Sequence, residues 1–393
     1  MIRSYLDNNA TTRVLPEVVA AMLPHLSESY GNPASMHAEG GAAARAVSTA
    51  RASLRALLGA ASEDEIVFTS GGTESNTTAI LSALAADPAR REIVTSTVEH
   101  PAILSLCAWL EKTAGVVVHR IGVDSHGRLD IDACRAALGP QTALVTLMWA
   151  NNETGTIFPV EGLAELAHRA GALFHSDAVQ AAGKVAIDLR CTDIDLLSVS
   201  AHKLHGPKGV GALYVRKGVP FQPLLRGGHQ ERGRRAGTLN VPGIAGFGRA
   251  ADLALGLDVA PIRALRDRME QGVLAAIDRV QVLGDPLDRL PNTSALAFDF
   301  VEGEAVLMLL DRAGIAASSG SACASGAMEP SHVLRAMKVP FTAAHGGLRL
   351  SLGRETTAAE VDHLLAVLPG IISRLRDMSP FGAGQPFAGE AVP

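Results

Sequence analysis

The chain has 393 residues, 47% hydrophobic and 19% charged, with a formal net charge of −5. That length exceeds one comfortable hydrophobic core and predicts two domains in a soluble, globular protein. The acidic balance argues against a nucleic-acid binder, no apolar run approaches a membrane span, and the opening MIRSYLDNNATT lacks the basic-then-apolar pattern of a secretory signal.

Seven short apolar runs, often β-branched, read as buried strands in chain order: EIVFTS (65–70), REIVTSTV (91–98), GVVVHRIGV (115–123), TALVTLMWA (142–150), ALFHSDAV (172–179), DLLSVSAH (195–202) and GALYVRK (211–217). Between many of them lie Ala/Leu/Glu/Arg-rich stretches of helical spacing, such as VEGLAELAHRAG (160–171) with its glycine stop. Such alternation predicts an α/β domain over 13–258, with a mostly parallel seven-stranded sheet covered by helices. The pattern changes near residue 258. PIRALRDRMEQGVLAAIDRV (261–280) reads as a long amphipathic helix able to bridge two domains. After it come a strand (294–300), a helix (303–314), a Gly/Ser/Ala loop (317–327), a strand (347–353) and a last helix. We assign 1–12 and 259–378 to a smaller α/β domain, and 379–393 to a loosely ordered Gly/Pro-rich tail.

The residues able to do chemistry cluster at strand ends. SGGTESN (70–76) is a Gly-rich turn opening a helix; its amides and the Thr73 hydroxyl suit a phosphate, though any helix cap looks similar. His100 in VEHPA could stack on a ring and shuttle a proton near neutral pH, or be a satisfied structural histidine. Asn152 in WANNETG is a neutral hydrogen-bonder or a turn residue. In HSDAVQAAGK, Asp177 ends a strand; it could pair with a pyridinium nitrogen, with Gln180 on the ring hydroxyl, or cap the next helix. SAHKLHGPKG (200–209) sets Ser200, His202 and Lys203 at another strand end. A free lysine titrates near ~10.4, so Lys203 needs burial and positive neighbours to act as a nucleophile.

Cys107 and Cys134 fall in helical patterns and read as packing residues, while Cys191 begins a loop. Cys323, in ASSGSACASG, sits among small residues that would leave its thiol accessible; it must lose a proton with a pKa near ~8.5 to attack. With no CxxC pair, neither a disulfide framework nor a zinc knuckle is expected, and a reducing, cytoplasmic compartment is the simplest reading. His202, His205 and Asp177 are metal-ligand types, but no HExxH-like spacing supports a metal site. In GGLRLSLGR, alternation turns Leu348, Leu350 and Leu352 one way and Arg349, Ser351 and Gly353 the other, so Arg349 could clamp a carboxylate or close an edge salt bridge.

Together and in this order these motifs resemble the NifS-type cysteine desulfurases, in the class V aminotransferase group of fold-type I pyridoxal-phosphate enzymes. The likeness runs from YLDNNATT (5–12) to about Ser379 and includes YGNPASMH, RGGHQERGRRAGT and PFTAAHG. It implies that pyridoxal 5'-phosphate is bound on Lys203, with His100 stacked on the ring, Asp177 on the ring nitrogen and Gln180 on the ring oxygen. Gly72, Thr73, Ser200 and His202 would hold the phosphate, joined by Thr238 from a second subunit, which implies a homodimer. Asn152 and Arg349, with Asn32, would bind the carboxylate of L-cysteine. Cys323 would accept the sulfur, leaving alanine, and pass it to a NifU- or IscU-type iron–sulfur scaffold. RGGHQERGRRAGT points to the nitrogen-fixation branch; a housekeeping IscS-like donor or a selenocysteine lyase is the alternative. Where the family often reads Gly-Thr-Glu-Asn, this chain has Gly237, Thr238, Leu239, Asn240, so an acidic side chain is missing. Aminotransfer has no use for Cys323, and a silent scaffold would be expected to lose Lys203, Cys323 or Arg349.

Overall fold

The computed structural model describes residues 3–319 and 330–379; Cys323 and the tail from 380 lie outside them. The strands are β1 (Ser4–Tyr5), β2 (Ile66–Thr69), β3 (Glu92–Ser96), β4 (Val117–Ile121), β5 (Thr142–Met148), β6 (Leu173–Asp177), β7 (Leu196–Ser200), β8 (Gly211–Val215), β9 (Val280–Leu283), β10 (Thr293–Phe298), β11 (Ile315–Ala316) and β12 (Gly347–Ser351). The main sheet has seven strands in the order β2-β8-β7-β6-β5-β3-β4. These are the seven runs read from the sequence, trimmed at their ends. Every residue of β5, β7 and β8 is buried, because both faces of the sheet are covered.

In this sheet β8 runs against its neighbours, antiparallel to both β7 and β2; the other pairs are parallel. The link between β7 and β8 explains this. Residues 201–210 are too few for the dozen or more that a parallel crossover needs. As a result the carboxyl ends of β2, β3, β5, β6 and β7 share one edge, the place where open α/β sheets take ligands.

A second, antiparallel sheet has the order β12-β10-β9, and β1 pairs in parallel with β11. It builds a second core of its own, while its Leu283, Ala295 and Ala297 join the core under the main sheet. This second core gathers Leu6 from the N-terminal segment, Met269 and Val273 from the helix Ala260–Ala276, and Val361, Leu364 and Leu368 from the helix Ala358–Met378. Leu348, Leu350 and Leu352 also enter it, as their alternation predicts. The N-terminal segment ties the two parts together: Asn8 N donates to Ser351 O at 3.1 Å, and Thr12 N to His202 O at 3.0 Å.

Candidate active site

The main sheet ends in a lysine held by backbone. After β7 a single 3-10 turn, Ala201–Lys203, carries Lys203 off the edge. Its Nζ donates to the carbonyls of Asn9 at 2.5 Å and Ala10 at 2.7 Å. Those carbonyls are themselves fixed. Asn8 Nδ2 donates to Ser351 O at 2.9 Å, Asn9 N to Ser351 Oγ at 2.9 Å, and Thr12 Oγ1 to His202 O at 2.8 Å.

Asp177 comes off the neighbouring strand, opposite Ser198 in the β6–β7 register. Its carboxylate is buried. Oδ2 accepts from Asn76 Nδ2 at 2.7 Å, and Oδ1 from the Val179 amide at 3.0 Å. The local cap foreseen for Asp177 is therefore present, but it uses one oxygen. Both donors are neutral, and among the described residues no lysine or arginine pairs with it. A buried carboxylate so held suits a cationic partner; a protonated ring nitrogen is one, so the residues fit pyridoxal phosphate.

The elements expected to hold a phosphate lie on the same edge. The helix Gly72–Ala86 follows Gly71, at φ 154, and has no side-chain cap, which leaves its first amides open. A Cβ on Gly211 would stand 2.7 Å from Gly71 Cα, so glycine lets β8 pass against this turn. Ser200 is buried beneath Gly71, and Thr73 is exposed at the helix start. His202 Nδ1 lies 3.1 Å from Thr11 Oγ1. Burial, then the charges of Lys203 and Lys208, lower its pKa to about 4, so the ring is neutral.

His100 caps the helix Pro101–Ala114, its Nδ1 accepting from Ala102 N at 3.1 Å. The proton of the neutral ring therefore sits on Nε2. Burial lowers its pKa, and Lys203 and His332 add to that against the pull of Asp177. Beside it, Glu99 is fully buried. Glu99 Oε1 accepts from Ser96 Oγ at 2.7 Å and Met148 N at 3.0 Å, while Oε2 has no partner. Burial raises its pKa to about 8. An acid raised in this way holds its proton in the folded state, so stability falls as pH climbs from the ordinary carboxyl value of 4.5 to about 8. Glu99→Gln carries no such penalty. Its melting temperature should match wild type at mildly acidic pH and exceed it by a few degrees above pH ~8; a difference that stays flat across that window would show Glu99 to be ionised throughout.

Arg349, in β12, is buried and faces the junction. It donates through NH1 to Asn152 O at 3.0 Å and through NH2 to Asp7 Oδ1 at 2.7 Å, and its Nε is buried without a partner. Arg349 thus closes a salt bridge, the second of its two readings, and its Nε is left over as a donor. Asn152 meets it through its backbone. Gln180 reaches the lysine, because its Nε2 donates to Asn9 O at 2.9 Å, the oxygen that also takes Lys203. Two candidates are not brought to Lys203 by contacts within the described chain. Asn32 is exposed, its Oδ1 closing a local turn on Ala34 N at 2.9 Å, and Thr238 is exposed.

Cys107 and Cys134 are buried, and burial raises their thiols to about 12 and about 11. His175, in the same motif as Asp177, is a core residue: Nδ1 meets Thr146 Oγ1 at 2.8 Å and Nε2 meets Ser198 Oγ at 2.9 Å. The residues that sequence reasoning did not single out are Asp7, Asn9, Asn76, Glu99 and Lys184. All of them sit inside the motifs YLDNNATT, SGGTESN, VEHPA and HSDAVQAAGK, so membership of a motif was the one signal that could have found them.

Comparison with known proteins is consistent across the chain. The family model "Aminotransferase class-V" matches residues 4–364. A curated "Cysteine desulfurase" of Cereibacter sphaeroides is 71% identical over 383 residues, covering 98% of this chain and 99% of that protein. "Cysteine desulfurase NifS" of Azotobacter vinelandii is 55% identical over 383 residues, covering 97% and 95%. Among solved structures, a "NifS-like protein" superposes with a TM-score of 0.89 at 38% identity, covering 95% of this chain and 100% of that one.

Proposed function

The chain belongs to the aminotransferase class-V family and is a cysteine desulfurase, and on that premise we propose that its sheet edge holds pyridoxal 5'-phosphate and delivers the sulfur of L-cysteine to Cys323. The observation that carries the reading is the meeting of Lys203 and Asp177 at neighbouring strand ends, one on a shared carbonyl, the other buried and short of a cation. Gly72, Thr73, Ser200 and His202 take the phosphate, Asp177 the ring nitrogen, Gln180 the ring oxygen, and His100 one face of the ring.

When bound, the cofactor supplies an electron sink for the bonds that break at the α and β carbons of the substrate. Arg349 orients the substrate carboxylate, its buried Nε being the donor left over from Asp7 and Asn152. Lys203 would hold the cofactor through its amine, and Nζ, when free, would take the α proton of the substrate. The neutral His100 would carry its proton at Nε2, since Nδ1 accepts from Ala102 N. The Cys323 thiolate then attacks the substrate sulfur. An S–S bond forms, the C–S bond breaks, and the electron pair with a proton returns to carbon as alanine. Cysteine and thiol give alanine and persulfide with no outside reductant.

Cys323 lies outside the described residues, but the residues flanking it support its role. Arg349 N donates to Ser318 O at 2.6 Å on one side, and His332 Nε2 lies 3.0 Å from Glu99 O on the other. Both flanks are therefore fastened beside groups of the proposed site.

We further propose a homodimer in which the exposed Thr238 completes the partner's phosphate site, and a division into domains at 258/259, supported by a second core whose buried members are Leu6 and residues between 262 and 372. The acceptor is a NifU- or IscU-type scaffold serving nitrogenase cluster assembly, a reading supported by the likeness to NifS. No described helix is long and apolar enough to cross a membrane, and we place the enzyme in the cytoplasm. With L-cysteine and dithiothreitol, the protein should give alanine and sulfide in equal, catalytic amounts. Adding an iron–sulfur scaffold without reductant should move labelled sulfur onto the scaffold's cysteines. Sulfide without labelled scaffold would reject that acceptor and leave the desulfuration standing.

A further inference from the structure

Lys184 takes no part in the chemistry above, yet it is built into the site. After β6 the chain makes a helical turn, with Ala182 N on Ala178 O at 2.9 Å and Val185 N on Ala181 O at 3.0 Å. Gly183, at φ 70, closes the turn; a Cβ there would stand 2.7 Å from Leu204 Cδ2 and 3.0 Å from Ala254 Cβ. Glycine thus lets the turn pack against the residue after Lys203. Gln180 and Lys184 fall on one side of it, four residues apart.

Lys184 Nζ donates to Gln180 Oε1 at 2.9 Å and lies 3.4 Å from Asn9 Oδ1. Gln180 Nε2 donates to Asn9 O, the acceptor it shares with Lys203. A carbonyl only accepts, and a lysine at such a carboxamide donates. The Asn9 carbonyl therefore takes the nitrogen of the Gln180 amide, and Lys184 holds the oxygen on the other side. One N–H of that nitrogen is left for the site.

We propose that Lys184 is a positioning residue that locks the Gln180 amide with its N–H turned toward the ring oxygen of the cofactor. This rests on the proposed cofactor site. Burial, then the nearby charges of Lys203 and Arg349, lower the Lys184 pKa to about 7. Its service to Gln180 is the donated hydrogen bond, so a neutral donor should replace it.

The test is a pH titration of the visible absorption of the holoenzyme. A donor at the ring oxygen favours that oxygen's charged form, so losing the donor raises the pH of the spectral change. Lys184→Met should raise the midpoint by about one pH unit, the size of one hydrogen bond. Gln180→Ala should raise it as far, and the double variant no further than Gln180→Ala. Lys184→Gln, which can still donate without a charge, should stay near wild type. Equal shifts in Lys184→Met and Lys184→Gln would overturn the proposal in favour of a charge effect. So would shifts of Lys184→Met and Gln180→Ala that add. A Gln180→Ala midpoint that does not move would remove Gln180 from the ring oxygen, and this proposal with it. A chain that releases no pyridoxal phosphate on denaturation would instead sink the cofactor reading itself.

Discussion

Lys203→Ala should lower alanine production from L-cysteine by at least ~10³-fold. Two losses combine. A positioned proton acceptor is worth about 10²–10⁴ in rate, and the amine that attaches the cofactor disappears with it. The cofactor should still bind, because Asp177 and the open amides after Gly71 are untouched, but its absorption should change. Asn9 O keeps the Gln180 donor while Ala10 O loses Lys203. In the cofactor-free chain a stability loss of about 1–3 kcal/mol for that orphaned carbonyl is expected, too little to unfold it. Turnover within tenfold of wild type in a variant that still binds the cofactor would remove Lys203 from the chemistry.

Cys323→Ala should bind cofactor and L-cysteine as wild type does but turn over ~10²-fold or more slowly, since substrate sulfur would have to leave without its acceptor. After a single exposure to L-cysteine, intact mass and peptide mapping should place one extra sulfur on Cys323 alone. The other thiols are poor rivals for physical reasons. Burial holds Cys107 and Cys134 protonated, with pKa values of about 12 and about 11. Cys191 is exposed on the 3-10 turn Leu189–Cys191, just ahead of β7 and so at the sheet edge opposite Lys203. Extra sulfur on any of these, or undiminished sulfur transfer by Cys323→Ala, would reassign the acceptor.

The main sheet was legible because its strands are buried on both faces, which leaves unbroken apolar runs such as Thr142–Met148. The direction of β8 was less so, since it depends on the length of the link from β7 and on nothing in the strand itself. β1 and β11 have two residues each, too few to carry a pattern. At the site, alternation along β12 was enough to turn Arg349 away from the leucines. The acceptors of Lys203 left no trace, because they are backbone carbonyls, which every residue owns. Glu99 is one glutamate among many in the chain; only its burial and its unpartnered oxygen make it an acid of pKa about 8. Lys184 ends the motif HSDAVQAAGK, but its meaning lies in the turn closed by Gly183, which places it on Gln180.

The grip of Lys203 on Asn9 joins residues 194 apart, and Asn8 reaches Ser351 across 343. During synthesis these residues leave the ribosome long before their partners and are thus among the last to find their places. At roughly 5–20 residues per second, the opening ten wait many seconds for their partners to be made. The main sheet can close in the meantime, since its strands all fall between residues 66 and 215. Assembly then ends at the place where chemistry begins. A peptide graft or truncation at the amino terminus should spare early folding and act on this final docking step, delaying competence for the cofactor rather than the appearance of helices.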